Sequence, residues 1–221
     1  MAAPALIRSE PTRAAVRRLI ADRVRNGSLR PGERLSPAML AAELGVSATP
    51  LREALIELVR DGYLDNRSQY GFAVRPLRVK EVQELYPVIS SLESLAIRQQ
   101  IFDSEKLDEL DRINARFAKA RKPSDVNALD ALWHSTLVSR SENDTLHEML
   151  EILKSRVQRY EDAYTRYSGA MPASANQHRA ITRALRGGDV ETAAKVLEEN
   201  WLSGIGFLVP WLEGRTPQRA G

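Results

Sequence analysis

Cysteine is absent from the 221 residues, which excludes disulfides, thiolate-held zinc and thiol catalysis. Aromatic residues are scarce at 6%, and long stretches are built from Ala, Leu, Glu and Arg, a composition that favours helices over β-sandwiches. No apolar run approaches the ~20 residues that a membrane span needs. The first residues carry Arg8 and Glu10 without an apolar core segment between them, so no secretory signal is read there. Hydrophobic residues at 43% and charged residues at 28% are those of a folded chain rather than a disordered one. The expectation is a soluble, cytoplasmic, mostly helical protein of one large domain or two ordinary ones.

Lysine is missing from residues 1–78, where 13 arginines face 8 acidic residues for a net charge of +5. The remaining 143 residues net −2. A basic, arginine-only third on an otherwise acidic body suggests a polyanion-binding module attached to something else. A solvated charged surface is the plainer alternative.

The periodicity predicts a first helix over about 11–25, ended by Asn26-Gly27. A turn follows at Arg30-Pro31-Gly32-Glu33, then a short helix from Ser36 with Pro37 at its first position. Ser47 can cap a third helix, whose Leu51, Leu55, Leu58 and Val59 make one apolar stripe before Asp61-Gly62 ends it. Two short helices joined by Leu44-Gly45-Val46-Ser47 form a helix-turn-helix, whose second member typically enters the DNA major groove. Tyr63–Asn66 and Gly71–Arg75 then read as a β-hairpin ended by Pro76. Three helices and a hairpin make a winged helix-turn-helix over residues 1–77.

Beyond Val79 there is almost no strand signal. Helices are predicted at about 79–102, 104–121, 124–140, 143–167, 173–187 and 189–209, separated by Gly, Pro, Ser and Asn punctuation. Six helices joined by short loops imply an antiparallel six-helix bundle over 78–213. Pro87 should kink the first of them or delay its start. The polar tail at 214–221 is expected to fray. The fold class is therefore mostly α.

The resemblance to a known family rests on Pro31-Gly32-Glu33-Arg34-Leu35-Ser36, Leu40–Ser47, Thr49–Leu55 and Leu58–Leu64. These segments resemble the signature of GntR-type regulators. The C-terminal part resembles the FadR-type (FCD) effector domain through Leu92-Glu93, Asp130–His134, His178–Ile181 and Gly188-Asp189. Six helices there resemble the shorter, VanR-like branch. The resemblance implies that the Ser47–Asp61 helix reads double-stranded DNA while the hairpin touches the adjacent minor groove. The implied DNA-binding residues are Arg34, Ser47, Thr49, Arg52, Tyr70 and Gly71. Hydroxyls and backbone N–H groups at a helix N-terminus can meet phosphate oxygens, and an arginine on the next turn can reach a phosphate or a guanine edge. The alternative for Arg52 is a surface ion pair with Glu53 or Glu57, and for Gly71 an ordinary hairpin glycine. Ala48 stands where the family often has arginine, so no family operator is carried over.

Asp130 and His134 lie four apart on one predicted helical face. A carboxylate and an imidazole together are half of a divalent-ion site. His178, on the fifth helix of the bundle, would supply a third ligand, and the resemblance aligns Asn200 with a further histidine of the family. The ion would be Zn, Ni or Mn, bound more weakly for having an amide in place of an imidazole. The alternative is an Asp130–His134 ion pair with His178 as a core polar group. His147 has no matched role and reads as a surface histidine. The family's carboxylate-clamping arginine aligns with Ile89, so Arg98, Arg156 and Arg159, with Tyr160, are the substitutes considered, and Trp133 and Trp201 are candidate pocket walls.

The functional expectation is a ligand-responsive transcription regulator that binds a palindromic operator as a homodimer. Its small-molecule effector, a metabolite acid among the candidates, would sit in the helical domain. The alternatives are a metal sensor in which the ion is itself the signal, and a metal-dependent enzyme. No general base, nucleophile or phosphate loop accompanies the ligands, so the expectation is not an enzyme.

Overall fold

The computed structural model describes residues 12–67, 71–168 and 174–214. The chain divides into two compact units between Pro76 and Leu77. Among the described residues no helix is long and apolar enough to cross a membrane.

The N-terminal unit contains α1 (Arg13–Arg25), α2 (Pro37–Leu44), α3 (Ala48–Arg60), β1 (Leu64–Arg67) and β2 (Gly71–Val74). Thr12 caps α1 by accepting from the Ala15 N–H, and Ser36 caps α2 by accepting from Met39. Gly45 ends α2 with φ of +64°, a left-handed turn that suits glycine and sends the chain through Val46-Ser47 into α3. The core is the meeting of Val16, Ile20 and Val24 on α1 with Leu51, Ala54, Leu55 and Leu58 on α3. Arg17 closes the end of α3 onto α1, its Nε donating to Asp61 Oδ2 at 2.8 Å. The hairpin is antiparallel, with Leu64 opposite Val74 and Asn66 opposite Phe72, which turns Leu64, Phe72 and Val74 into the core. The segment before α2 also joins the wing. The Leu35 N–H donates to the Phe72 carbonyl and the Val74 N–H to the Glu33 carbonyl. The turn predicted at 30–33 is thus tied to the edge of β2.

The C-terminal unit contains α4 (Val79–Arg98), α5 (Ser104–Lys119), α6 (Pro123–Val138), α7 (Asp144–Ser168), α8 (Ala175–Arg186) and α9 (Val190–Leu212). The predicted ends differ from these by a few residues; of the tail at 214–221 expected to fray, all but Gly214 lies outside the described residues. Asp103 caps α5 and Asp189 caps α9, each accepting from the backbone N–H three positions on. The chief packings are α4 along α9, α8 on α9, α5 on α6 and α8, and α7 on α4. Tyr86, Ile89, Ile97, Leu110, Trp133, Leu137, Tyr160, Ile181 and Leu197 form the centre of one continuous core. Pro87 does not delay α4, which already runs from Val79. Proline removes the N–H that would have met the carbonyl of Gln83, and Gln83 is exposed, so water can take its place.

Gly204 lets α9 approach α4. A β-carbon added there would overlap the ring of Tyr86, whereas one added at Gly206 would meet nothing. Gly204→Ala is expected to destabilise the chain by about 1–3 kcal/mol through overpacking. Gly206→Ala should instead gain up to about 1 kcal/mol from helix propensity. Urea unfolding of both variants checks the contrast.

Candidate functional site

Two faces concentrate the residues singled out from the sequence. On the N-terminal unit, Ser47 occupies the N-cap of α3 without a capping side-chain bond. Thr49 and Arg52 follow it on the exposed side of the helix, and Arg34 is also exposed. Glu53 and Glu57 are not partners of Arg52: they pair with Arg13 and Arg17, at 3.2 Å for Arg13 Nε to Glu57 Oε1. Gly71 opens β2 with φ of +69°, a backbone that L side chains rarely adopt. Tyr70 lies outside the described residues.

In the C-terminal unit, α6 presents Asp130 and His134 on one face and α8 brings His178 to meet them. One donor atom from each lies within 4.8 Å of the others. His178 Nε2 is 3.6 Å from Asp130 Oδ1, and His134 Nε2 is 3.9 Å from Asp130 Oδ2. Neither Asp130 Oδ1 nor His178 Nε2 has a hydrogen-bond partner although both atoms are buried. Buried polar atoms are ordinarily paired, so two orphans aimed at each other mark a place for a third party. Burial, with His134 alongside, drops His178 to about 2 and keeps its imidazole neutral. Burial also raises Asp130.

Trp133 stacks face to face on His178, with ring centroids 3.8 Å apart, and is itself completely buried. Beside the cluster, Tyr86, Asp130, His134, Glu161, Asn200 and Trp201 line a cavity shared with Ser174, Ser203, Gly204 and Phe207. Asn200 donates its amide N–H to Gln177 Oε1 at 2.9 Å, which orients its carbonyl oxygen away from that partner. Burial, reinforced by Asp130, raises Glu161 to about 8.

The arginines proposed for a pocket are elsewhere. Arg98 is exposed and forks onto both carboxylate oxygens of Glu191 at 2.9 Å. Arg159 is buried against Glu81, which also accepts from the Tyr160 hydroxyl at 2.6 Å. Arg156 does not line the cavity. An arginine's facing depends on which acid the fold brings to it, and these acids are distant in sequence. Ile89, at the family's arginine position, is fully buried in the core. His147 is half-buried rather than at the surface, its Nε2 2.8 Å from the Ser141 carbonyl oxygen.

The residue that organises the site is Glu93 of α4, which is completely buried. His134 Nδ1 lies 2.7 Å from its Oε2, Trp201 Nε1 donates to the same oxygen at 2.6 Å, and Lys154 Nζ is 2.5 Å from Oε1. Burial alone would raise this carboxyl, yet Lys154 and His134 outweigh it and hold Glu93 at about 2. The sequence carried a signal for it. Glu93 falls four residues from both Ile89 and Ile97, inside the apolar stripe of α4, where an acid needs an internal partner.

A winged helix-turn-helix joined to a helical unit with this buried Asp-His-His cluster is matched by two family descriptions. "Bacterial regulatory proteins, gntR family" covers residues 12–74 and "FCD domain" covers 84–201. The chain belongs to the gntR family. Among gntR-family relatives, "Probable D-xylose utilization operon transcriptional repressor" of Paenarthrobacter nicotinovorans is 30% identical over 190 residues, 82% of each chain. The "Uncharacterized HTH-type transcriptional regulator YdhC" of Bacillus subtilis is 35% identical over 132 residues. That match takes 57% of this chain and spans only about three fifths (59%) of the relative. The solved structure of E. coli McbR/YncC shares the fold, with a TM-score of 0.75, 24% identity, and coverage of 90% of this chain and 98% of that one. These relatives are regulators of transcription rather than enzymes.

Lys154→Met would leave the Glu93 carboxylate buried with only His134 and Trp201 beside it. The expected loss is about 3 kcal/mol, as for breaking one side of a buried ion pair. The double variant Glu93→Gln/Lys154→Met should recover most of it. Urea unfolding of both proteins measures the difference.

Proposed function

We propose that this gntR-family protein is a transcription regulator that binds a palindromic DNA operator as a homodimer, through α3 and the wing. A small-molecule effector bound in the α4–α9 unit controls it. The observation that carries the reading is the convergence of Asp130 Oδ1 and His178 Nε2, buried and without hydrogen-bond partners, in a chain whose other unit exposes Thr49 and Arg52 on a recognition helix.

A divalent ion fits the cluster. One carboxylate and two imidazoles are a mixed O,N donor set suited to zinc, nickel or manganese, and the orphaned atoms are those an ion would satisfy. Asp130, His134 and His178 would hold it, with the Asn200 carbonyl oxygen as a weaker fourth donor. When bound, the ion supplies a Lewis-acidic anchor for an effector oxygen. Around it, Trp201 and Phe207 give apolar walls and exclude water, while Tyr86, Glu161 and Ser203 offer hydrogen bonds. Among the described residues no arginine or lysine lines the cavity, so an acidic effector would depend on the ion for its countercharge. Effector binding would act by favouring one arrangement of the dimer's two DNA-reading units over another.

On the DNA side, Ser47 and Thr49 at the start of α3 would meet phosphate, and Arg52, free of Glu53 and Glu57, would reach a base edge or a phosphate. Arg52→Ala should weaken binding to a selected operator duplex by about 1–3 kcal/mol. Fluorescence anisotropy against selected and random duplexes separates the two roles: base reading costs the selected duplex alone, phosphate contact costs both. Unchanged binding to both removes Arg52 from the interface.

Protein purified without a tag should carry one zinc, nickel or manganese per chain by elemental analysis, and chelator should strip it readily. His178→Ala should abolish that loading. Full loading of the variant would move the ion away from the Asp130 cluster.

A further inference from the structure

We infer that Glu93 and Asn114 are positioning residues that lock His134 and His178 in the Nδ1–H tautomer, so that both Nε2 lone pairs converge on Asp130. The inference rests on the metal reading above and names what makes that site competent before any ion arrives.

The logic is one of donors and acceptors. Asn114, buried on α5, donates its amide N–H to the Ala175 carbonyl oxygen at 3.0 Å. A backbone carbonyl only accepts, so the amide's orientation is settled. Its Oδ1 therefore faces His178 Nδ1, 3.2 Å away, and an amide oxygen only accepts. His178 must donate from Nδ1, and its Nε2 is left bare. Glu93 works the same way on the other ring. Trp201 is an obligate donor to Oε2 and the Lys154 ammonium lies against Oε1, so the carboxylate meets positive or N–H groups on every side. His134 Nδ1, 2.7 Å away, must donate, which leaves Nε2 as the ring nitrogen that faces Asp130.

Both Nε2 atoms lie on the Asp130 side. Trp133, stacked on His178, opposes a flip of that ring. Partners of this kind usually change metal affinity by about 10–100-fold when removed. The two supports differ in character: a carboxylate pushes electron density onto His134, whereas a neutral amide only orients His178. His134 is therefore the stronger ligand of the pair.

The test uses the full chain and zinc alone. Glu93→Met/Lys154→Met, which exchanges the buried ion pair for apolar groups, and Asn114→Leu should each weaken zinc binding about 10–100-fold by equilibrium dialysis. Glu93→Gln/Lys154→Met and Asn114→Asp keep an acceptor for each ring and should bind nearly as the unaltered protein does. Histidine ¹⁵N spectra of zinc-free protein give a readout that loss of stability would not produce. Both rings should show protonated Nδ1, and each acceptor-less variant should lose that state at its own histidine only. Unaltered zinc affinity in the acceptor-less variants, or protonated Nε2 in the starting protein, overturns the inference. Protein with both expected tautomers that binds no zinc, nickel or manganese overturns the metal reading itself, and the positioning role falls with it.

Discussion

One buried carboxylate holds the helical unit to a single arrangement. Glu93 draws His134 of α6, Lys154 of α7 and Trp201 of α9 onto α4, so four of the helices share one charge. Removing a carboxylate from water is costly unless strong donors replace its hydration. Here an ammonium, an indole N–H and an imidazole N–H do so within 2.7 Å. An alternative packing of these helices would have to find three new donors for the same group. The arrangement therefore contributes uniqueness of structure as well as stability, and places His134 where the cluster needs it.

The fold was readable in the sequence to a large degree because its signals are local. Ser36, followed by Pro37, names the start of α2, and Gly45 and Gly62 set the breaks within the N-terminal unit. The pairing of Glu33 and Leu35 with β2 was not readable, because a short bridge leaves no periodic pattern. Pro87 misled in the other direction. A proline inside a helix is tolerated where the abandoned carbonyl faces water, and only the tertiary placement of Gln83 shows that it does.

At the site, Asp130 and His134 were legible from their i,i+4 spacing, and His178 and Asn200 only through family likeness. The supporting residues were not. Asn114 is a polar residue on an amphipathic helix and reads as surface until α8 covers it with Ala175 and His178. Two of the arginines considered for the effector were illegible for the same reason: Arg98 meets an acid 93 positions away and Arg159 one 78 positions away. Long side chains choose partners by tertiary proximity, which residue spacing does not encode.

The N-terminal unit carries its positive charge on guanidinium groups alone, with Arg13, Arg17 and Arg23 committed to acids and Arg52 turned outward. Guanidinium stays protonated across the whole physiological pH range. It is also untouched by acetylation, which erases the charge of lysine. Side-chain acylation, whether by cellular acetyl donors or by amine-reactive probes in the laboratory, would fall on lysines from Lys80 onward. The positive charge of this unit is thus indifferent to lysine acylation.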